Sequence, residues 1–336
     1  MKCDICIRTL CILVLACCIL SCKKDDNPLS HVGSTNYKIV FTADNHLCII
    51  DSDGENMRIL ASGASGSFLN WEADISSDGT MLVFAKADSD YRQIYLLDLE
   101  TLGITNITND LMYHESPVFS PDGKNVMFAR SMGWKKHLFL KNLENGELKQ
   151  LTYQYNCSNP SYSTDGSLIM FTMNNGLDSN GVAIMDNNGN NVRLLAPGIG
   201  LQVWPDGRQI LFEQFIPPDS MGLFIMNIDG SNRQFLSIIP FQTISRLSPD
   251  GSRIVFSNFT RNFDIFLINS DGSNLKNLTN SQDAEFQPSF SPDGKQIIYI
   301  SLDTVTFKHR LHIMDSDGGN NKILVQDVGS LRDPIL

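Results

Sequence analysis

The side chains that could do chemistry are few and scattered. Beyond the first 36 residues the histidines are His46, His114, His137, His309 and His312. They follow no common spacing, so they describe neither a metal cluster nor an acid–base relay. No His-Glu-x-x-His, Gly-x-Ser-x-Gly or phosphate-loop motif is present. Asp51-Ser-Asp53-Gly54 and Asp315-Ser-Asp317-Gly318 have the look of a calcium loop. A calcium hand, however, needs acids at positions 1, 3 and 5, Gly at 6 and Glu at 12. Here Gly comes fourth, and Asp and Asn cap their own turn backbone. These carboxylates read as turn residues. The expectation is a protein that is not an enzyme and takes no cofactor.

What positions these residues is a repeat. Asp-Gly turns occur at Asp78, Asp122, Asp165, Asp206, Asp250 and Asp293, spaced by 41 to 44 residues. A fixed period of this size means one supersecondary unit stacked many times. Each unit reads as four short strands bounded by Gly, Asp, Asn and Pro, for example around Pro288 to Ser301. A second family of strands begins near Leu47, Ile94, Leu138, Val182, Leu223, Ile265 and Leu311. That family counts seven units against six Asp-Gly turns. The unit starting at Tyr37 lacks its first strand, and Leu331-Arg332-Asp333-Pro334 matches Glu115-Ser116-Pro117. The C-terminal strand should therefore complete the first unit and leave no sheet edge exposed. The predicted fold is all-β: a seven-bladed β-propeller of four-stranded antiparallel blades. Six blades is the alternative if the turns alone are counted.

Pro117 to Phe128 and Pro288 to Tyr299 carry the pattern Pro-x-Phe-Ser-Pro-Asp-Gly-Lys-x-Ile-x-Phe nearly throughout. With Ile-Tyr, Asp-x-Asp-Gly-x-Asn and Leu-Thr segments, this resembles the TolB-type, WD-like propeller repeat over residues 37–336. The resemblance implies an envelope scaffold. Two departures stand out. TolB carries an additional N-terminal α/β domain, for which residues 1–36 leave no room. Propellers of that type also commonly have six blades.

Residues 1–21 read as a lipoprotein signal peptide: Lys2 and Arg8, an apolar run from Thr9 to Leu20, then Ile19-Leu20-Ser21-Cys22. Cys22 is the expected lipidation site. Lys23-Lys24-Asp25-Asp26 resembles the surface-export signal of Bacteroidetes lipoproteins, and 22–36 reads as a flexible tether. The expected location is the outer membrane, lipid-anchored and surface-exposed, with the periplasmic face as the alternative. Of eight cysteines only Cys48 and Cys157 lie beyond Cys22, so no disulfide framework is expected. The formal charge of −11 disfavours nucleic acid, and membrane contact is expected through the lipid alone. Nothing in the sequence requires a homo-oligomer.

The strand order puts all tight turns on one face and all variable connections on the other, where ligands and partners bind. Tyr91, Arg92, Trp134, Lys135 and Phe307 are candidates there, the aromatics as stacking or anchoring groups. Glu72, His114, Glu115, Arg246, Glu285 and Arg332 enter the innermost strands and are expected to ring the channel mouth. The leading function is a lipid-anchored envelope module that binds a protein or glycan without catalysis. The alternative is a metal-dependent carbohydrate-active enzyme of the oligogalacturonate lyase kind, with a divalent metal near His114.

Overall fold

The computed structural model describes residues 37–62, 73–88, 91–174, 180–218, 220–239, 245–259 and 262–335. Every regular element among the described residues is a strand. The strands form seven separate four-stranded antiparallel sheets, the blades of a propeller. Blade 1 draws on both ends of the chain: Leu331–Ile335 is innermost, followed by Lys38–Ala43, His46–Asp51 and Arg58–Ser62. Blades 2 to 7 follow in order over residues 73–106, 114–150, 156–197, 199–239, 245–277 and 284–328. Seven is thus the correct count. The closing strand pairs antiparallel with Lys38–Ala43, as the terminal match predicts.

The turns explain the repeat. In five of the Asp-Gly turns a preceding serine hydroxyl donates to the aspartate: Ser76, Ser120, Ser163, Ser248 and Ser291, at 2.5 to 2.7 Å. The serine carbonyl accepts the glycine N–H at 2.8 Å. The serine hydroxyl bond holds the Asp78 and Asp165 carboxyls below their usual range. Blade 5 has Trp204 in place of serine, and its indole Nε1 donates to the Gly251 carbonyl of the next blade's turn at 3.0 Å. On the outer side, the Leu-Thr segments also have a task. The hydroxyls of Thr108, Thr152 and Thr279 accept the N–H of Ile94, Leu138 and Ile265 at 2.9 to 3.1 Å.

The core lies between blades. One aromatic per blade occupies the same place on the second strand: Phe41, Phe84, Phe128, Phe171, Phe212, Phe256 and Tyr299, all fully buried. Several stack on an aromatic of the third strand, as Phe128 does on Phe139 and Phe256 on Phe266. Each buried ring contributes roughly 1.5–3 kcal/mol over an exposed one. Blade 7 departs from this rule, with Tyr299 stacked on His312 at 4.8 Å between centroids.

Outer turns also touch neighbouring blades. Gly189 has φ +89°, and a Cβ there would stand 2.8 Å from the Leu151 carbonyl oxygen of blade 3. Gly207, at φ +72°, has open space around it. Gly189→Ala should cost about 2 kcal/mol or more in urea unfolding, and Gly207→Ala only about 1 kcal/mol, the backbone term alone. Equal losses would show that the interblade approach is not tight.

Candidate functional site

The variable connections of blades 2, 3 and 4 form one continuous surface. Gln93 Nε2, on the third strand of blade 2, donates to the carbonyls of Asp110 and Met112 at 2.9 Å. This fixes the segment that leads into blade 3. Ser131 N–H donates to the Tyr113 carbonyl at 2.8 Å, tying that segment to the hairpin at Gly133-Trp134. Beyond the hairpin, Lys135 Nζ donates to the Gln154 carbonyl at 2.8 Å and the Lys136 N–H to Asn156 Oδ1 at 2.9 Å. The hairpin is thereby joined to the segment leading into blade 4.

Trp134 stands fully clear of the protein. Tyr91, Leu111, Tyr113, Met132 and Tyr153 are exposed on the same run of connections. Of these, the sequence reading singled out Tyr91 and Trp134 and missed the others, because loop residues follow no strand periodicity.

The charged candidates are mostly engaged. The Arg92 side chain is buried with its guanidinium 5.4 Å from the Tyr113 ring centroid. Lys136 pairs with Glu115. Arg130 pairs with Asp110 at 2.8 Å. His114, expected at the channel mouth, is buried: Nδ1 lies 3.2 Å from the Arg92 carbonyl, Nε2 3.5 Å from Asp110, and the ring meets Phe128 edge-on. Burial lowers its pKa, opposed in part by Asp110.

The remaining candidates lie elsewhere on the ring. Glu285 is buried at the start of blade 7, with no hydrogen-bond partner for Oε2, and burial pushes its carboxyl up to about 7. Arg246 is half-buried on blade 6, where Nη1 donates to the Ser245 carbonyl at 3.1 Å. Arg332 is half-buried on the closing strand of blade 1. Phe307 is exposed on a blade 7 hairpin whose N–H at 307 reaches the Asp303 carbonyl at 2.8 Å. Glu72 and Cys22 lie outside the described residues. Tyr91, Trp134, Lys135 and Glu115 are therefore brought to one surface, and Arg92 is buried against Tyr113. Phe307, Glu285, Arg246 and Arg332 are not.

One arrangement has the outline of a hydrolytic relay. Ser301 Oγ lies 3.0 Å from His312 Nε2, and His312 Nδ1 lies 3.2 Å from Asn321 Oδ1. Ser301 is buried, so no substrate carbonyl reaches its oxygen. Asn321 Nδ2 also donates to the Tyr299 hydroxyl at 2.6 Å. The group packs blade 7 rather than serving an open cleft. Among the described residues no three His, Cys, Asp or Glu side chains are placed to hold a metal ion. The histidine–metal centre of the lyase alternative does not fit these residues.

The ring, the turns and the closing strand define a seven-bladed β-propeller whose variable face carries an aromatic surface. The chain belongs to the TolB beta propeller domain family, which matches residues 31–195 and 174–320. It is 25% identical over 285 residues to the Tol-Pal system protein TolB of Francisella tularensis subsp. mediasiatica, covering 82% of this chain and 54% of that protein. The chain thus spans about half the length of the curated relatives it matches. The crystal structure of TolB from Acinetobacter baumannii superposes with a TM-score of 0.58 at 21% identity, covering 88% of this chain and 65% of that one. An oligogalacturonate lyase in complex with manganese superposes with a TM-score of 0.64 at 17% identity, covering 80% and 82%. These two structural likenesses speak for the fold alone.

Proposed function

We propose that this chain is a lipid-anchored cell-envelope module that binds a protein partner through its variable face and performs no chemistry. The observation that carries the reading is the rigid, aromatic surface of blades 2 to 4, beside a set of buried histidines and acids that serve packing. Membership of the TolB beta propeller domain family supports it, as does the name of the relatives as Tol-Pal system proteins.

Anchorage through Cys22 suits the geometry. Tyr37 N–H donates to Ser52 Oγ at 3.3 Å and its hydroxyl to Gln296 at 2.9 Å. Both partners sit beside tight turns, so the chain joins the propeller on the tight-turn face. The residues between Cys22 and Tyr37 reach at most about 50 Å when extended. An anchor at Cys22 would tether that face and leave the variable face directed away from the membrane. The outer leaflet is the proposed location, on the strength of Lys23-Lys24-Asp25-Asp26.

Co-purification from detergent-solubilised native membranes tests the reading. The expected result is a stoichiometric envelope protein retained by the tagged chain, with Cys22→Ser releasing the chain from the membrane fraction. Turnover of an acidic oligosaccharide by the purified chain, with no retained protein, would overturn it.

A further inference from the structure

We infer that Asp264 and Glu285 form a proton-held clasp between blades 6 and 7: one shared proton closes the joint, and its loss opens the connection from Asn277 to Ala284 on the variable face. The inference stands whatever that face binds.

The repeat itself sets the pair apart. Gln93, His137 and Asp264 are equivalent. Each stands just before a residue whose N–H goes to a threonine hydroxyl: Ile94, Leu138 and Ile265. His114, Cys157 and Glu285 are equivalent too, each three residues before a proline on the innermost strand of the next blade. The joint between blades 2 and 3 therefore holds an amide and an imidazole, and that between blades 3 and 4 an imidazole and a thiol. The joint between blades 6 and 7 holds two carboxyls.

Both are buried, Asp264 at 1% exposure and Glu285 at 3%. Glu285 Oε2 has no hydrogen-bond partner. Burial, with the charges of Asp264 and Asp283 added, pushes the Glu285 carboxyl up to about 7, against the Thr279 and Ser281 hydroxyls. The cations of the neighbouring elements are engaged elsewhere. Arg310 binds Asp283, Asp303 and Asp327 at 3.0 to 3.2 Å. Arg246, on the innermost strand of blade 6, acts on Glu213, and Arg332, on the closing strand, on His309. Arg253 reaches the Gly294 carbonyl and the Ser316 hydroxyl at the tight-turn end. His309 meets Phe286 and the Gly329 carbonyl. His312 lies between Ser301 and Asn321, and burial lowers its pKa. Burial, then the Glu285 charge, raises the Tyr299 pKa and keeps that hydroxyl neutral. Two like charges side by side out of water are too costly to hold. The pair keeps one proton, a carboxylic acid donating to a carboxylate.

The bonds around the pair show what it closes. Asn277 Nδ2 donates to Asp264 Oδ2 at 2.9 Å, and Asn277 Oδ1 accepts the Thr279 N–H at 3.1 Å. Leu278 N–H donates to the Ile265 carbonyl at 2.8 Å. Asn262 Nδ2 donates to the carbonyls of Ser281 and Asp283 at 3.0 and 2.7 Å. A second negative charge drives Asp264 and Glu285 apart and loads all of these bonds together. Asp283 carries the opening to Arg310.

Native-state hydrogen exchange on the whole chain tests the clasp, with rates corrected for the intrinsic effect of pH. The reference is the Leu151 amide, which donates to the Leu138 carbonyl at 2.8 Å in the joint between blades 3 and 4, as Leu278 does to Ile265. The ratio of protection at Leu278 to that at Leu151 should fall at least about 10-fold between about pH 6 and about pH 8.5. Changes in global stability act on both amides and leave the ratio alone. Glu285→Gln and Asp264→Asn each keep the shape and remove one charge, and the amide donates to the carboxylate that remains. Each should flatten the ratio, and either one suffices if the other does not fold. A wild-type ratio that stays constant or rises with pH would overturn the clasp, as would a fall that persists in the variants.

Discussion

A variant ending at Ser330 should fail to close and should lose more than about 5 kcal/mol of stability, enough to lower the melting midpoint by at least about 10 °C or to prevent folding. The missing strand, Leu331–Ile335, is the innermost of blade 1. Without it, Lys38–Ala43 presents an unpaired edge at the centre of the ring, a template for aggregation. Leu331 is buried in the cluster that joins blades 7 and 1, with Phe41, Ile300 and Leu311. The strand is also stapled from its start. Asp44 N–H donates to the Ser330 carbonyl at 3.0 Å, and Ser330 N–H donates to Asp44 Oδ1 at 2.8 Å. Removal of the strand loses the apolar burial and uncovers backbone groups that water reaches poorly. Leu331→Ala gives the graded version: a loss of about 2–5 kcal/mol with the ring intact. A truncated chain that melts at the wild-type temperature would mean that closure does not depend on this strand.

Stability should also rise as the solution becomes mildly acidic, against the usual behaviour of carboxylate-rich proteins. Burial pushes the carboxyls of Asp74, Glu213 and Glu285 up to about 7. Glu213 accepts the Ser245 hydroxyl at 3.0 Å, and Asp74 accepts the Phe119 N–H at 2.9 Å from the neighbouring blade. In the unfolded chain such groups titrate near their ordinary values of about 4. Between those values and about 7, the folded protein holds protons that the unfolded chain releases. Stability is therefore fully present below the unfolded pKa and is lost as pH rises through 7, by on the order of 3 kcal/mol per group. The turn aspartates have the opposite sign. Asp78 and Asp165 are held below the usual range, and their contribution is lost as pH falls through the depressed value. The two trends place the maximum on the mildly acidic side of neutrality. Glu213→Gln removes the cost of ionising a buried carboxyl. It should be more stable than wild type by about 2 kcal/mol at pH 8 and within about 0.5 kcal/mol of it at pH 5. Urea unfolding across that range decides. A flat profile, or a glutamine variant weakened at pH 8, would mean that Glu213 is ionised in the fold and stabilised there.

The blade count was legible because the physics of a turn is local. Asp-Gly recurs wherever the innermost and second strands are joined by a turn, from Asp78 through Asp293, with Pro before it in four of the six. Blade 1 lacks that turn because its two strands come from opposite ends of the chain, so the seventh unit had to be read from the third strands and the Leu331–Pro334 match. The aromatic at Phe41, Phe84, Phe128, Phe171, Phe212, Phe256 and Tyr299 gives seven directly. Tyrosine at the last position partly disguises it.

The candidate site was less legible. His114 and Glu285 read as rim residues because they begin innermost strands. In a strand, however, neighbours point to opposite faces. Glu115 reaches the surface and meets Lys136, whereas His114 turns into the space between blades. The left-handed residues that follow, Ser116 at φ 51° and Gln287 at φ 53°, each sit in a register shift that an alternation rule does not foresee. Leu111 and Tyr153 went unnoticed for a different reason. They lie in connections, where no period marks an apolar residue as unpartnered.

Site-specific photocrosslinking in native membranes tests the central claim most directly. A photoreactive residue is placed at 134, on the variable face, and in a second chain at 122, on the tight-turn face. The account predicts a single protein adduct in high yield from 134 and none from 122. A protein adduct from 122 alone, or adducts of equal yield from both faces, would contradict it.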